Sequence, residues 1–333
     1  MSLRYAATPG LAPTDGVPEC DEPRATADVS RETGAEAGGA IGLVSRETDA
    51  VPELPGSEED SPADANVSRE TPPQFPHPAK RRVLSIANQK GGVGKTTSTV
   101  NLAVALATHG LRVLVLDLDP QGNASTGLGI DHHAGVPSIY EVLINGTPIA
   151  EVAQQAAAAP ELSVVPATID LAGAEIELVS VVARETRLRK AITGYGRELD
   201  YVLIDCPPSL GLLTVNALVA ADEVLIPIQC EYYALEGLGQ LVSNIDLVKT
   251  HLNPELVIST ILLTMYDART KLADQVAAEV REHFGDRVLR AVIPRSVRVS
   301  EAPGFGQSVL TYDPTSRGAV SYLDAAGEIA ENG

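Results

Sequence analysis

Nine residues constrain this chain more than any others: QKGGVGKTT, Gln89 to Thr97. They follow a short apolar run, RVLSIAN (Arg82 to Asn88), and lead into TTSTVNLAVALATHG, a stretch of helical character with Gly110 as its expected C-terminal cap. A glycine turn between a buried strand and the start of a helix is where backbone amides can close around a phosphate chain, aided by the positive end of the helix dipole. Gly91, Gly92 and Gly94 free the backbone for that turn, with Val93 among them in the same cradle. Lys95 is placed to hold β- and γ-phosphates, the Thr96 hydroxyl to ligate Mg²⁺, and Thr97 to reach the α-phosphate. The expected ligands are therefore ATP or ADP with Mg²⁺.

The rest of the chain from Arg82 repeats the same alternation. RVLVLDLD (Arg112 to Asp119), YVLIDCP (Tyr201 to Pro207) and EVLIPIQ (Glu223 to Gln229) are nearly continuous apolar runs, as strands buried on both faces require. LSVVPA, LVISTILLT and VLRAVIP read as further strands, and YALEGLGQLVSNIDLVKTHL as a helix between two of them. The fold class is α/β: a doubly wound, mostly parallel sheet with helices on both faces. Ligands of such sheets bind at the carboxyl ends of the strands, which directs attention to the acids there. Asp117 and Asp119 end the second run and share one face at strand period, within reach of a metal and its waters. Asp205 ends YVLID as a single carboxylate on a buried strand, the arrangement that presents an acid to a magnesium-bound water.

Before this domain the composition changes. Residues 1–79 are crowded with Pro, Gly, Ala, Ser, Thr and acids and have almost no large apolar side chains, so we expect a disordered tail, with the folded domain at 80–333. The formal net charge is -19, but roughly half of it lies in the tail and says little about the domain's partners. Cys20, Cys206 and Cys230 are too few and too scattered for a disulfide framework or a CxxC metal site, which fits a reducing cytoplasm. No signal peptide or membrane-spanning run is apparent, so a cytoplasmic protein without a membrane partner is expected.

Gln89 stands where the plain phosphate-loop pattern has its first glycine, and Lys90 follows at once. KGGVGKTT resembles the deviant Walker A box of the ParA and MinD superfamily, in which the early lysine crosses a dimer interface to the partner's nucleotide. NQKGGVGKTT, DLDPQGNASTGLG, LAGAEIELV, DCPPSLGLLTVNAL, CEYYALEGLGQL and IPRSVRVSEAPGFGQSVLTYDPTSRGAVSY extend the likeness over nearly all of Arg82 to Leu323 and resemble chromosomal ParA (Soj) proteins in particular. The resemblance implies a weak ATPase in which Lys90, Asp119 and Asp205 are catalytic. Asp119 orients the attacking water; Thr96, Asp117 and Asp205 serve Mg²⁺. It also implies an ATP-bound homodimer that binds double-stranded DNA without reading sequence, a nucleoid-associated location, and a ParB-type centromere-binding partner that stimulates hydrolysis. Arg269, Arg295 and Arg298 match or adjoin the family's DNA-contacting arginines, and Pro294 and Arg295 match residues that flank the adenine. Lys271, Arg287 and Arg290 add basic charge nearby.

Two relatives of this architecture are disfavoured by particular residues. A MinD-like membrane switch needs a basic amphipathic C-terminal helix, whereas this chain ends DAAGEIAENG. An iron protein needs cluster-ligating cysteines at a dimer axis, which Cys206 and Cys230 do not supply; a small-molecule ligase stays open on residues alone. The tail holds VSRET three times, at Val29 to Thr33, Val44 to Thr48 and Val67 to Thr71, with unequal spacing and unrelated flanks. These copies have no apolar face to stack as a solenoid would. Val-Ser-Arg-Glu-Thr can be encoded by GTTTCACGTGAAAC and one further base. That string is its own reverse complement and resembles the parS centromere, so the repeat is expected to reflect embedded DNA sites more than a peptide motif.

Overall fold

The computed structural model describes residues 74–231 and 234–332, and within the second stretch the side chains from 237 onward. The expectations for the tail, including the VSRET copies, lie outside these residues. Eight strands form one sheet: β1 (Arg82–Ile86), β2 (Val113–Asp117), β3 (Gln154–Gln155), β4 (Leu162–Val165), β5 (Tyr201–Asp205), β6 (Glu223–Gln229), β7 (Val257–Tyr266) and β8 (Val288–Pro294), in the order β3-β4-β2-β5-β1-β6-β7-β8. All neighbours run parallel except the short edge strand β3, which pairs antiparallel with β4. A doubly wound, mostly parallel α/β sheet is therefore what the chain forms. Two glutamines carry no strand signature of their own, so β3 was not legible.

Consecutive residues of the central strands point to opposite faces, and each face has its own core. Val83, Leu114, Leu116, Val202, Ile204 and Val224 pack under the helices Leu212–Ala220 and Ala234–His251. Leu84, Ile86, Val113, Val115, Leu203 and Leu225 pack under Lys95–Thr108 and Arg317–Glu331. This two-sided burial explains why the strands read as unbroken apolar runs rather than as alternating ones.

The amino ends of the strands are tied by charge. Arg82, 7% exposed, makes a bidentate pair with Glu223 at 2.7 and 2.8 Å and donates to the Ile329 carbonyl of the C-terminal helix at 2.6 Å. Asp200 accepts from the Arg112 backbone at 2.7 Å and from its guanidinium at 3.0 Å, and His77 Nδ1 lies 3.1 Å away. Gln74 to His77, which composition places in the tail, lie against the domain: Phe75 stacks on His109 at 4.5 Å and its N–H donates to the His109 carbonyl at 3.1 Å. Gly110 does close the Lys95–Thr108 helix. It takes φ 90° one residue past the cap His109 and donates to the Ala107 carbonyl.

Candidate nucleotide site

β1 ends at Ile86, and the chain turns at once into the glycine loop. Asn88 pins that turn from both sides. Its Nδ2 donates to the Pro227 carbonyl at 2.8 Å and its Oδ1 accepts the Lys90 N–H at 3.0 Å. Gly92 and Gly94 have φ of 74° and 88°, the left-handed region that only glycine enters freely. A Cβ at Gly91 or Gly92 would meet no protein atom within 4 Å, so the loop presents bare backbone on the side away from the core. Val93 is buried, and its carbonyl accepts from Thr264 Oγ1 at 2.8 Å, which ties the loop to β7. The helix then begins at Lys95 with Gly94 as its cap, and Thr96 and Thr97 sit half-buried in its first turn.

Three carboxylates converge on this loop. Asp205 ends β5 between β1 and β2; it is fully buried, accepts from Thr99 Oγ1 at 3.0 Å through Oδ1, and has no hydrogen-bond partner at Oδ2. Burial, together with the neighbouring Asp117 charge, pushes its pKa up, while the Thr96 and Thr99 hydroxyls draw it back. Lys95, 7% exposed, has its ammonium pushed down by burial, against the stabilising charges of Asp205 and Asp119. A buried carboxylate oxygen without a donor, beside threonine hydroxyls and a buried lysine, fits a divalent cation with phosphate oxygens.

Asp117 and Asp119 are arranged differently from the strand-period expectation. β2 stops at Asp117, where the Leu118 N–H makes the last ladder bond to the Asp205 carbonyl at 2.9 Å, and Asp119 belongs to the following loop. The two acids still meet, since the Asp119 N–H donates to Asp117 Oδ1 at 3.2 Å. Asp117 Oδ2 accepts both the N–H and the hydroxyl of Ser125, at 2.9 and 2.7 Å. Both Asp117 oxygens are thus engaged by the loop that carries Asp119. Ser125 stands eight residues downstream of Asp117 with nothing in the sequence to pair them. Asp119, 9% exposed, accepts the Gln121 N–H at 3.0 Å.

Beside the loop a cavity of about 240 Å³ is lined by Gly94, Thr97, Met265, Pro294, Arg295 and Ser300. The structure thus brings Pro294 and Arg295 together with the phosphate loop. Lys90 Nζ lies 3.1 Å from Glu231 Oε2, and the other Glu231 oxygen is 3.8 Å from the Arg295 guanidinium. Glu231 was not among the residues expected from sequence.

Of the arginines expected to meet DNA, Arg295 lines this cavity, and Arg269 and Arg298 are not in its lining. Arg269 is 86% exposed and pairs with Asp267 at 2.8 Å; Arg298 is 56% exposed and pairs with Glu301 at 3.1 Å and Asp313 at 3.4 Å. Arg290 is bound to Glu328. Each is held by a surface acid, so the local charge is far more balanced than a count of arginines implies.

A glycine cradle at a helix start, an acid on the neighbouring buried strand and a mostly parallel sheet define a P-loop nucleoside triphosphatase. Residues 81–258 match the family model AAA_31, described as an AAA domain. The sporulation initiation inhibitor protein Soj of Bacillus subtilis is 54% identical over 252 residues, which are 76% of this chain and 99% of that protein. The chromosome partitioning protein ParA of Myxococcus xanthus is 54% identical over 74% of this chain and 87% of its own length. Among solved structures, a Mycobacterium smegmatis protein named cobyrinic acid a,c-diamide synthase, with a bound ATP analogue and magnesium, is 38% identical. It has a TM-score of 0.64 and covers 74% of this chain and 93% of its own. The Pyrococcus furiosus cell division ATPase MinD superposes with a TM-score of 0.63 at 29% identity, over 76% of this chain and 99% of its own. The chain belongs to the Soj/ParA family of chromosome-partitioning P-loop ATPases.

Proposed function

We propose that this protein is an ATP-driven partition switch for a chromosome or large replicon. The observation that carries the reading is the buried, unpartnered Asp205 Oδ2 beside Lys95 and the Thr96 hydroxyl. Lys95 and the amides of residues 91–94 bind the triphosphate. Thr96 and Asp205 hold Mg²⁺, which when bound offsets phosphate charge. Asp119 orients the attacking water, and Asp117 keeps the Asp119 loop in place through Ser125. Pro294 and Arg295 flank the adenine. Hydrolysis is weak in the isolated chain, because Asp117, the acid in register beside Asp205, has both oxygens taken up by Asp119 and Ser125 and is not free to act as a dedicated base.

Lys90 reaches across a dimer to the partner's nucleotide, so ATP controls self-association. Exposed apolar side chains at Ile169, Ile176, Val179 and Val182 support that reading, because they follow β4 at the carboxyl pole of the sheet, where the phosphate loop lies. The dimer brings two sets of Arg269, Arg295 and Arg298 onto one DNA backbone, so two weak sites become one strong, sequence-independent site. A ParB-type partner then stimulates hydrolysis and release, and the protein works in the cytoplasm on the nucleoid. A membrane-bound role is disfavoured by the C-terminal helix Arg317–Glu331, whose apolar residues Tyr322, Ala325, Ala326 and Ile329 are buried in the core. No helix among the described residues is long and apolar enough to cross a membrane.

The test is DNA co-sedimentation with ATP, ADP or no nucleotide, comparing wild type with Lys90→Ala, Asp119→Ala and Arg298→Glu. Binding only with ATP, prolonged in Asp119→Ala and lost in the other two, is expected. Binding that ignores nucleotide, or that never appears, sinks the reading.

A further inference from the structure

The early lysine of the phosphate loop is already occupied. Lys90 Nζ sits 3.1 Å from Glu231 Oε2, with the two side chains only 38% and 46% exposed. The same carboxylate accepts from Gln229 Nε2 through its other oxygen, and Arg295 stands 3.8 Å from that oxygen. Glu231 stands two residues past the end of β6, and Lys90 sits two residues past Asn88, which is anchored on the β6 residue Pro227. The pair therefore spans two loops whose bases are held together by the sheet, so little chain freedom is lost in forming it. We infer that Glu231 is a positioning residue for Lys90, a counter-ion that holds the lysine on its own protomer until nucleotide draws it across.

This inference rests on the reading of Lys90 as a residue that crosses to a second copy. Glu231 and a phosphate on another chain compete for the same ammonium, and a lysine held on its own protomer has to leave that carboxylate to reach across, so forming the dimer breaks two such pairs. A half-exposed pair of this kind shifts an equilibrium by about two- to fivefold, and two of them by about four- to twenty-fivefold. That is large enough to set the ATP concentration at which copies associate and small enough to be overcome by a triphosphate. Gln229 keeps the carboxylate in place when the lysine leaves, and Arg295 offers it a second cation beside the cavity next to the phosphate loop.

The experiment is sedimentation equilibrium of the full chain with the non-hydrolysable analogue AMPPNP and Mg²⁺, for wild type and Glu231→Gln. Glu198→Gln, which removes one acid at the opposite pole, controls for net charge. A second readout is the reactivity of Lys90 toward an amine reagent without nucleotide, followed by peptide mass spectrometry. The dimer dissociation constant of Glu231→Gln is expected to fall by about four- to twenty-fivefold, with Lys90 more reactive and Glu198→Gln unchanged. If wild type dimerises and Glu231→Gln dimerises equally or less well, Glu231 is not holding Lys90 back and the inference falls alone. If wild type does not dimerise with AMPPNP, the reading of Lys90 falls with it.

Discussion

Asp117 and Asp205 are partners in register on the last rung of the parallel pair β2 and β5, two buried acids side by side on neighbouring strands. Burial pushes both carboxyls up from the ordinary range, reinforced at Asp205 by the Asp117 charge and at Asp117 by that of Asp119. Like charges kept together in a core are a cost accepted for a ligand. Asp205→Asn is therefore expected to raise the thermal midpoint of the nucleotide-free protein while lowering ATP hydrolysis by about 100-fold or more. Calorimetry and phosphate-release assays check both halves; a lower midpoint with retained hydrolysis would contradict the assignment.

Ser125 holds Asp117 through two donors, and with it the loop that bears Asp119. Ser125→Ala removes one charge-assisted hydrogen bond to a buried carboxylate and is expected to cost about 1.5–3 kcal/mol in urea unfolding. Hydrolysis should also fall with little change in nucleotide affinity, because the phosphate loop is untouched. Loss of affinity with unchanged turnover would place Ser125 elsewhere in the mechanism.

At the opposite pole, Glu223→Gln leaves the buried Arg82 guanidinium without its anion. About 3–5 kcal/mol of stability should be lost, the usual consequence of breaking one side of a buried pair. The turnover per folded molecule should stay the same, since the pair is a strand's length from the phosphate loop. A denaturation midpoint within error of wild type would show the pair to be dispensable.

Stability should also depend on acid in a defined window. Burial favours the neutral Asp200 carboxyl, but the hydrogen bonds from Arg112 and His77 outweigh it and hold the pKa below the ordinary carboxylate range. The contribution is present in full above the unfolded pKa, about 3.9, and is lost as pH falls below it toward the folded value. Urea midpoints measured between pH 7 and pH 3 should therefore drop less steeply in Asp200→Asn than in wild type. Parallel curves would remove Asp200 from the account.

The VSRET copies lie outside the described residues, and their test is in the gene. All three are expected to read GTTTCACGTGAAAC. Synonymous recoding, which leaves the protein unchanged, should abolish binding of a ParB-type protein to that stretch of DNA. Three differently spelled copies would return the repeat to the peptide.

The sheet was legible because two-sided burial writes itself as unbroken apolar runs, and Arg82 to Ile86 or Tyr201 to Asp205 leave little else to conclude. The phosphate loop was legible because left-handed φ at Gly92 and Gly94 needs glycine, which makes the motif visible in letters. Long-range side-chain choices were not. Lys90 and Glu231 are 141 residues apart, and Asn88 reaches Pro227 across 139. No local pattern records a partner that only the strand order brings near. Asp119 shows a third limit, because period-two reasoning holds only while the strand lasts, and β2 ends two residues earlier.

The strand ends at the two poles are built from opposite materials. At the amino ends Arg82, Glu223, Asp200, Arg112 and Asp222 knot the strands and the last helix together, and the Val83 N–H is itself bound by Asp222. At the carboxyl ends lie glycine turns and crowded anions. Such a molecule resembles a vice with a welded base and open jaws. Fluctuations that expose amides to solvent are therefore expected to concentrate at the carboxyl pole, so that nucleotide changes hydrogen exchange there while the base stays still.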